Sequence, residues 1–100
     1  MVLAYITCKD KKEAVKISMH LLRKRLIACS NMFPISSLYW WKNKIASGKE
    51  FVIIAKTTEK NFKTIEKEVK KTHSYEIPAI LKIKADANDD YMAWVMKETK

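Results

Sequence analysis

The chain is poor in the residues that loosen or staple a fold. Its 100 residues include one Gly, two Pro and two Cys. So little Gly and Pro leaves no flexible or polyproline linker, and a single domain spanning 1–100 is expected. Cys8 and Cys29 make no disulfide framework, and their spacing is not that of a zinc finger or ribbon. A reducing, cytoplasmic setting is therefore the expectation. No apolar run reaches membrane-spanning length. The opening MVLAYITCKDKK lacks the basic leader and small-residue cleavage site of a signal peptide. Internal repeats, a Gly-rich phosphate loop, a His-Glu-x-x-His pair and a Ser-His-Asp order are absent too. No enzyme is expected.

Hydrophobic residues make up 48% of the chain, which excludes disorder. The formal net charge is +9, which raises nucleic-acid binding as one reading. Only Arg23 and Arg25 among the 20 basic residues are arginine. The lysines are scattered rather than gathered, whereas surfaces that read bases or fork phosphates favour Arg.

Periodicity divides the chain into six main elements and a terminal helix. Residues 2–7 form an apolar strand. Asp10, three residues before Glu13, opens a helix in the manner of a capping box. Ala14, Ile17, Ser18, Leu21 and Leu22 give it one buried stripe. Residues 27–32 are extended, Pro34 marks an edge, bulge or bend, and 35–42 are extended again. A turn at Lys42-Asn43-Lys44 leads to a strand firmest over 51–56. Thr57 and Thr58 are candidate caps for a second helix, with Phe62, Ile65 and Val69 on its apolar face. Residues 79–85 form a fourth strand, with Leu81, Ile83 and Ala85 on one face. Asn88 opens a last helix bearing Tyr91, Trp94 and Val95. The order β-α-β-β-α-β plus a C-terminal helix predicts an α+β, ferredoxin-like fold.

That fold packs two helices on one face of a four-stranded sheet and leaves the other bare. The bare face is not polar here. In SSLYWWKNKI, Trp40 and Trp41 must point to opposite faces, and Phe51-Val52-Ile53-Ile54-Ala55 is apolar at every position. A patch of this kind marks an interface, and a closed homo-oligomer covers it most simply. Stacking of RNA bases is the alternative. GKEFVIIAK, with Phe51 followed by aliphatics, is a poor match to the third-strand pattern that such stacking needs.

The blocks ACSNMFPISSLYWWKNKI, KEFVIIAKT, HSYEIPAI and DYMAWV resemble, in order and spacing along essentially the whole chain, the CutA divalent-cation tolerance family. The resemblance implies a subunit similar to the PII signalling proteins, a homotrimer with hairpins reaching across to neighbours, and a link to tolerance of divalent metals, copper above all. It implies no catalysis and no required cofactor. It also implies an inter-subunit cleft lined by Cys29, Tyr39, Trp41, Lys56, His73, Tyr75 and Glu76. The chain departs from the family at Asn43 and Ile35, where many members carry Gly, and at Ala79, where many carry an acid.

A copper or zinc ion wants thiolate or imidazole ligands. The candidates are His73, Cys8 and Cys29, with His20 read as structural beside its helix stripe. Cys8, near a helix N-terminus, is expected to be reactive, and Cys29, on a buried strand, to act also as a small hydrophobe. No pair has the spacing of a preformed helical site, so folding or assembly must build one. Asp86, Asp89 and Asp90 suit either a hard cation or helix capping. Lys56, Tyr75 and Glu76 suit either a small anion or interface salt bridging.

Overall fold

A computed structural model describes residues 1–100. The elements are β1 (Val2–Cys8), α1 (Lys11–Arg23), β2 (Cys29–Trp41), β3 (Lys44–Thr57), a 3-10 turn (Glu59–Asn61), α2 (Phe62–Thr72), β4 (Ile80–Lys84) and α3 (Asp89–Glu98). The sheet is antiparallel throughout in the order β2-β3-β1-β4, as a ferredoxin-like fold requires.

Helix α1 begins and ends by side-chain and backbone chemistry that can be followed atom by atom. Asp10 caps it, its Oδ1 accepting from the Glu13 N–H at 2.8 Å. Glu13 reaches back and accepts from the Lys9 N–H at 2.9 Å. At the other end, the N–H groups of Arg25 and Leu26 donate to the carbonyls of Leu22 and Leu21. This is a Schellman closure, and Arg25 takes the left-handed conformation (φ 59) that Gly usually supplies. The cost is offset by anchoring, since Arg25 pairs with Glu98 at 2.7 Å and its carbonyl accepts from the Lys100 N–H.

The core lies between the sheet and the pair α1 and α2. Ala4, Ile6 and Cys8 of β1 alternate inward and meet Ala55, Ile53 and Phe51 across the ladder. Ile17 and Leu21 of α1 and Ile65 and Val69 of α2 close over them. Glu68 links the two helices, accepting from Lys24 and bonding His20 at 2.8 Å each, with Lys71 at 3.2 Å. His20 is thus structural, as expected.

Of the alternatives open at Pro34 the edge is the one found, and three other local expectations change. The strand over Pro34 is continuous, because β2 is a sheet edge and a Pro there withholds an N–H that the ladder does not need. Thr57 is no helix cap. It is the last residue of β3, and its hydroxyl donates to the Leu26 carbonyl at 2.6 Å. Thr58 precedes a 3-10 turn and makes no capping bond. The face away from α1 and α2 is only half bare, since α3 folds back onto it with Val95 fully buried and Tyr91 beside Cys29.

Beyond this body the β2–β3 hairpin projects, giving the molecule extents of 45 × 25 × 21 Å. Its tip is a two-residue loop, Lys42-Asn43, between paired Trp41 and Lys44. Both loop residues have positive φ (51 and 65), the requirement of a type I′ turn. Trp40 pairs with Ile45 and Trp41 with Lys44, so the two tryptophans do lie on opposite faces.

Candidate functional site

Two sites adjoin at the end of β1. The first is a cluster of Cys8, Glu13 and His73, each offering one ligand atom, with those atoms all within 4.8 Å of one another. Three elements build it. Cys8 ends β1 on its core side, Glu13 lies in the first turn of α1, and His73 follows α2 directly.

Every donor in this cluster is already engaged or protonated. Glu13 accepts the Lys9 N–H through Oε1 and the Ser74 N–H through Oε2. Burial pushes its carboxyl up, but those two N–H groups outweigh it and leave the pKa below the usual carboxylate value. His73 Nδ1 accepts the Tyr75 N–H at 3.0 Å, so Nε2 carries the proton it donates to the Thr7 carbonyl at 2.8 Å. Cys8 is fully buried, and burial, followed by the charges of Glu13, Asp10 and Glu50, pushes its thiol up to about 12. The expectation of a reactive Cys8 is overturned, since burial and neighbouring acids outweigh the helix N-terminus.

The donor set of sulfur, nitrogen and carboxylate oxygen fits a borderline ion such as zinc or a copper ion. An ion held there would displace the thiol proton and take a ring nitrogen from its present partner, which would tie affinity to pH. Cys29 is on another part of the molecule. It sits half-buried on the opposite sheet face, where Lys56 Nζ approaches its sulfur at 3.8 Å.

The second site is a cleft of about 770 Å³ at the base of the hairpin, lined by Tyr39, Trp41, Tyr75 and Glu76 together with Tyr5 and Glu50. Register explains the convergence. Tyr5 pairs with Ile54, Ile35 with Glu50 and Tyr39 with Ala46, all on the face away from α1 and α2. Tyr75 closes the side wall. Its ring lies against His73 at 4.8 Å between centroids, and its hydroxyl donates to Glu50 Oε2 at 2.5 Å. Burial and that carboxylate raise the Tyr75 pKa above the usual phenol range.

Of the seven cleft residues the resemblance implied, one chain gathers Tyr39, Trp41, Tyr75 and Glu76, with His73 behind Tyr75. Cys29 and Lys56 pair at the far end of the β2–β3 ladder. From Cys29 to Tyr39 is roughly 33 Å along an extended strand, so a cleft holding all seven takes two subunits. The cluster of Lys56 with Tyr75 and Glu76 does not form within one chain. Glu13 and Glu50 were missed in the sequence. Glu13 had an adequate explanation as a cap. Glu50 carried a signal, since period 2 from Lys56 back through Ile54 and Val52 places it on the same face.

The whole-chain comparisons agree with one another. Residues 2–98 match the family model described as CutA1 divalent ion tolerance protein. The divalent-cation tolerance protein CutA of Pyrococcus horikoshii is 40% identical over 101 residues, covering 100% of this chain and 99% of its own. That of Thermotoga maritima is 45% identical over 96 residues, covering 95% of each. The crystal structure of CutA1 from Pyrococcus horikoshii superposes with a TM-score of 0.96 at 39% identity, covering 100% of this chain and 99% of that one. A structure from Archaeoglobus fulgidus, described as a periplasmic divalent cation tolerance protein CutA, gives 0.97 at 37% identity over 100% of both chains. A PII-like protein CutA from Nostoc shares the fold, with a TM-score of 0.93 at 24% identity. With family model, relatives and fold in agreement over nearly its full length, the chain belongs to the CutA1 divalent ion tolerance protein family.

Proposed function

We propose that this chain is a non-catalytic, metal-binding module of divalent-metal tolerance that holds a copper or zinc ion at Cys8, Glu13 and His73. The observation that carries this reading is the convergence of a thiol, an imidazole and a carboxylate within 4.8 Å, from three separate elements, in a member of this family. Calorimetric titration of the metal-free protein with Zn²⁺ tests it. Loss of one ligand is expected to weaken binding at least tenfold in His73→Ala and Cys8→Ser. Equal affinity in wild type and both variants would refute the site.

The working form is a homotrimer in this reading. Support comes from two open sheet edges, β2 and β4, and from Leu38, Trp40 and Ile45 of the hairpin, which are 80%, 72% and 67% exposed in the isolated chain. A cytoplasmic setting completes the reading. The two thiols are unpaired and lie on opposite faces of the sheet, and no helix is long and apolar enough to cross a membrane. The Archaeoglobus relative's description as periplasmic makes cell fractionation the deciding measurement. The RNA-binding alternative finds no support in the matched family, and β3 offers Val52 and Ile54 to the face that would have to stack bases.

A further inference from the structure

The loop between α2 and β4 is held by the side chains that make up the donor cluster. From Ser74 to Ile77, only the N–H groups of Ser74 and Tyr75 find an acceptor. Ser74 donates to Glu13 Oε2 and Tyr75 to His73 Nδ1, each at 3.0 Å. The same stretch, Ser74 to Ile77, lines the hairpin cleft. One loop thus has its pegs in the donor cluster and its outer surface in the cleft wall.

The two pegs respond differently to a ligand bond. A carboxylate oxygen can accept more than one bond, so Glu13 can keep the Ser74 N–H. A neutral imidazole has one nitrogen with a free lone pair. In His73 that nitrogen is Nδ1, already taken by Tyr75, while Nε2 carries the proton donated to the Thr7 carbonyl at 2.8 Å. If Nδ1 becomes the ligand atom, Tyr75 loses its acceptor directly. If Nε2 becomes the ligand atom and the ring stays neutral, the ring proton moves to Nδ1 and faces the Tyr75 N–H donor to donor. The Tyr75 bond is lost in both cases.

Tyr75 ties that loss to the cleft. Its ring packs against the His73 ring with centroids 4.8 Å apart, and its hydroxyl donates to Glu50 Oε2 at 2.5 Å. Glu50 lies on β3 and lines the cleft too. A shift at His73 therefore reaches the cleft through packed and bonded groups of one chain.

We infer that an ion at Cys8, Glu13 and His73 and the pegged position of Tyr75 exclude each other, which makes the site a regulator of the cleft wall. The inference rests on the metal reading above and adds what occupancy does. In the homotrimer proposed above this wall meets a second subunit, so the change is delivered where copies join. Such coupling is reciprocal, and whatever loosens Tyr75 strengthens the hold on the ion.

Amide hydrogen exchange of the full chain, with and without saturating Zn²⁺, tests it beside calorimetry on the same samples. The Tyr75 amide is expected to exchange about fivefold faster or more when Zn²⁺ is bound. Tyr75→Phe keeps the ring and frees it from Glu50, so it should bind Zn²⁺ about threefold tighter. The sign is informative, because a loss of ligand or of packing weakens binding. Calorimetry that shows no Zn²⁺ binding overturns the metal reading and this inference with it. Zn²⁺ binding that requires His73 but leaves Tyr75 exchange unchanged overturns the inference alone. Equal or weaker Zn²⁺ binding by Tyr75→Phe overturns it as well.

Discussion

The inner half of β3, residues 52–57, and its outer half, residues 44–48, belong to one unbroken ladder and differ in nearly everything else. Ile53 and Ala55 are closed to solvent, while Ile45 is largely open. Backbone pairing is equally regular in both halves. What differs is what stacks on the sheet. The inner half has α1 and α2 on one side and α3 on the other, whereas Ile45 of the outer half, like Leu38 and Trp40 on the paired stretch of β2, has little of the chain over it. Burial here follows the third dimension, not the ladder. The inner half is completed by its own chain, and the apolar outer half is left uncovered by it.

Substitution should separate the two halves sharply. Ile53→Ala deletes core volume that the sheet and helices cannot refill, so a loss of about 2–5 kcal/mol is expected. Trp40→Ala removes a side chain that the subunit hardly buries. Its cost should fall on assembly, at roughly 2 kcal/mol or more if the ring is central to an interface. Urea unfolding at two protein concentrations, with light scattering for mass, distinguishes them. The Ile53→Ala midpoint should fall at both concentrations, while Trp40→Ala should lose mass on dilution. A Trp40→Ala protein of unchanged mass and midpoint would show that the arm is not an interface.

The helices over the inner half also share an electrostatic clasp with no counterpart on the arm. Hydrogen bonds from Lys24, then His20, then Lys71 hold the Glu68 carboxyl down to about 2. A depressed carboxylate stabilises the fold above its unfolded pKa, near 4.5, and that contribution fades as pH falls from there toward 2. Glu68→Gln should therefore be less stable than wild type at pH 7, with the gap narrowing below pH 4.5. Urea midpoints measured from pH 7 to pH 2.5 check this. A gap constant across that range would assign the loss to packing instead.

The inner half was largely legible in the sequence, and the cleft only partly. Helix stripes such as Ile17 and Leu21, the element order and the parity of Trp40 and Trp41 follow from local periodicity, which tertiary contacts left intact. The meeting of Cys8 with Glu13 and His73 was not legible. The first two are near in sequence, but His73 arrives from beyond α2, and only the register of β1 and the packing of α2 bring it there. The half-covering of the bare face by α3 was equally hidden, because an amphipathic helix states that it packs but not on which surface. Cys8 misled for a related reason. Its nearness to a helix start was visible, and its complete burial was a property of the assembled core.

The smallest expected effect tests whether the two halves unfold together. Lys42 and Asn43 both sit at positive φ in the arm's turn. Asn tolerates that conformation through its short polar side chain, whereas Lys pays the full clash of its Cβ. Lys42→Gly relieves that clash and returns part of the gain as extra freedom of the unfolded chain. A net stabilisation of roughly 0.5–1 kcal/mol is expected. Where it is felt is the informative point. If the arm and body form one cooperative unit, the gain raises the urea midpoint and the protection of core amides such as Ile53 alike. If the arm opens separately, only its own amides, such as Ile45 and Tyr39, exchange more slowly. The scarcity of cover over the arm in the isolated subunit favours the second outcome on dilution, and the proposed homotrimer would favour the first at concentrations that hold it together.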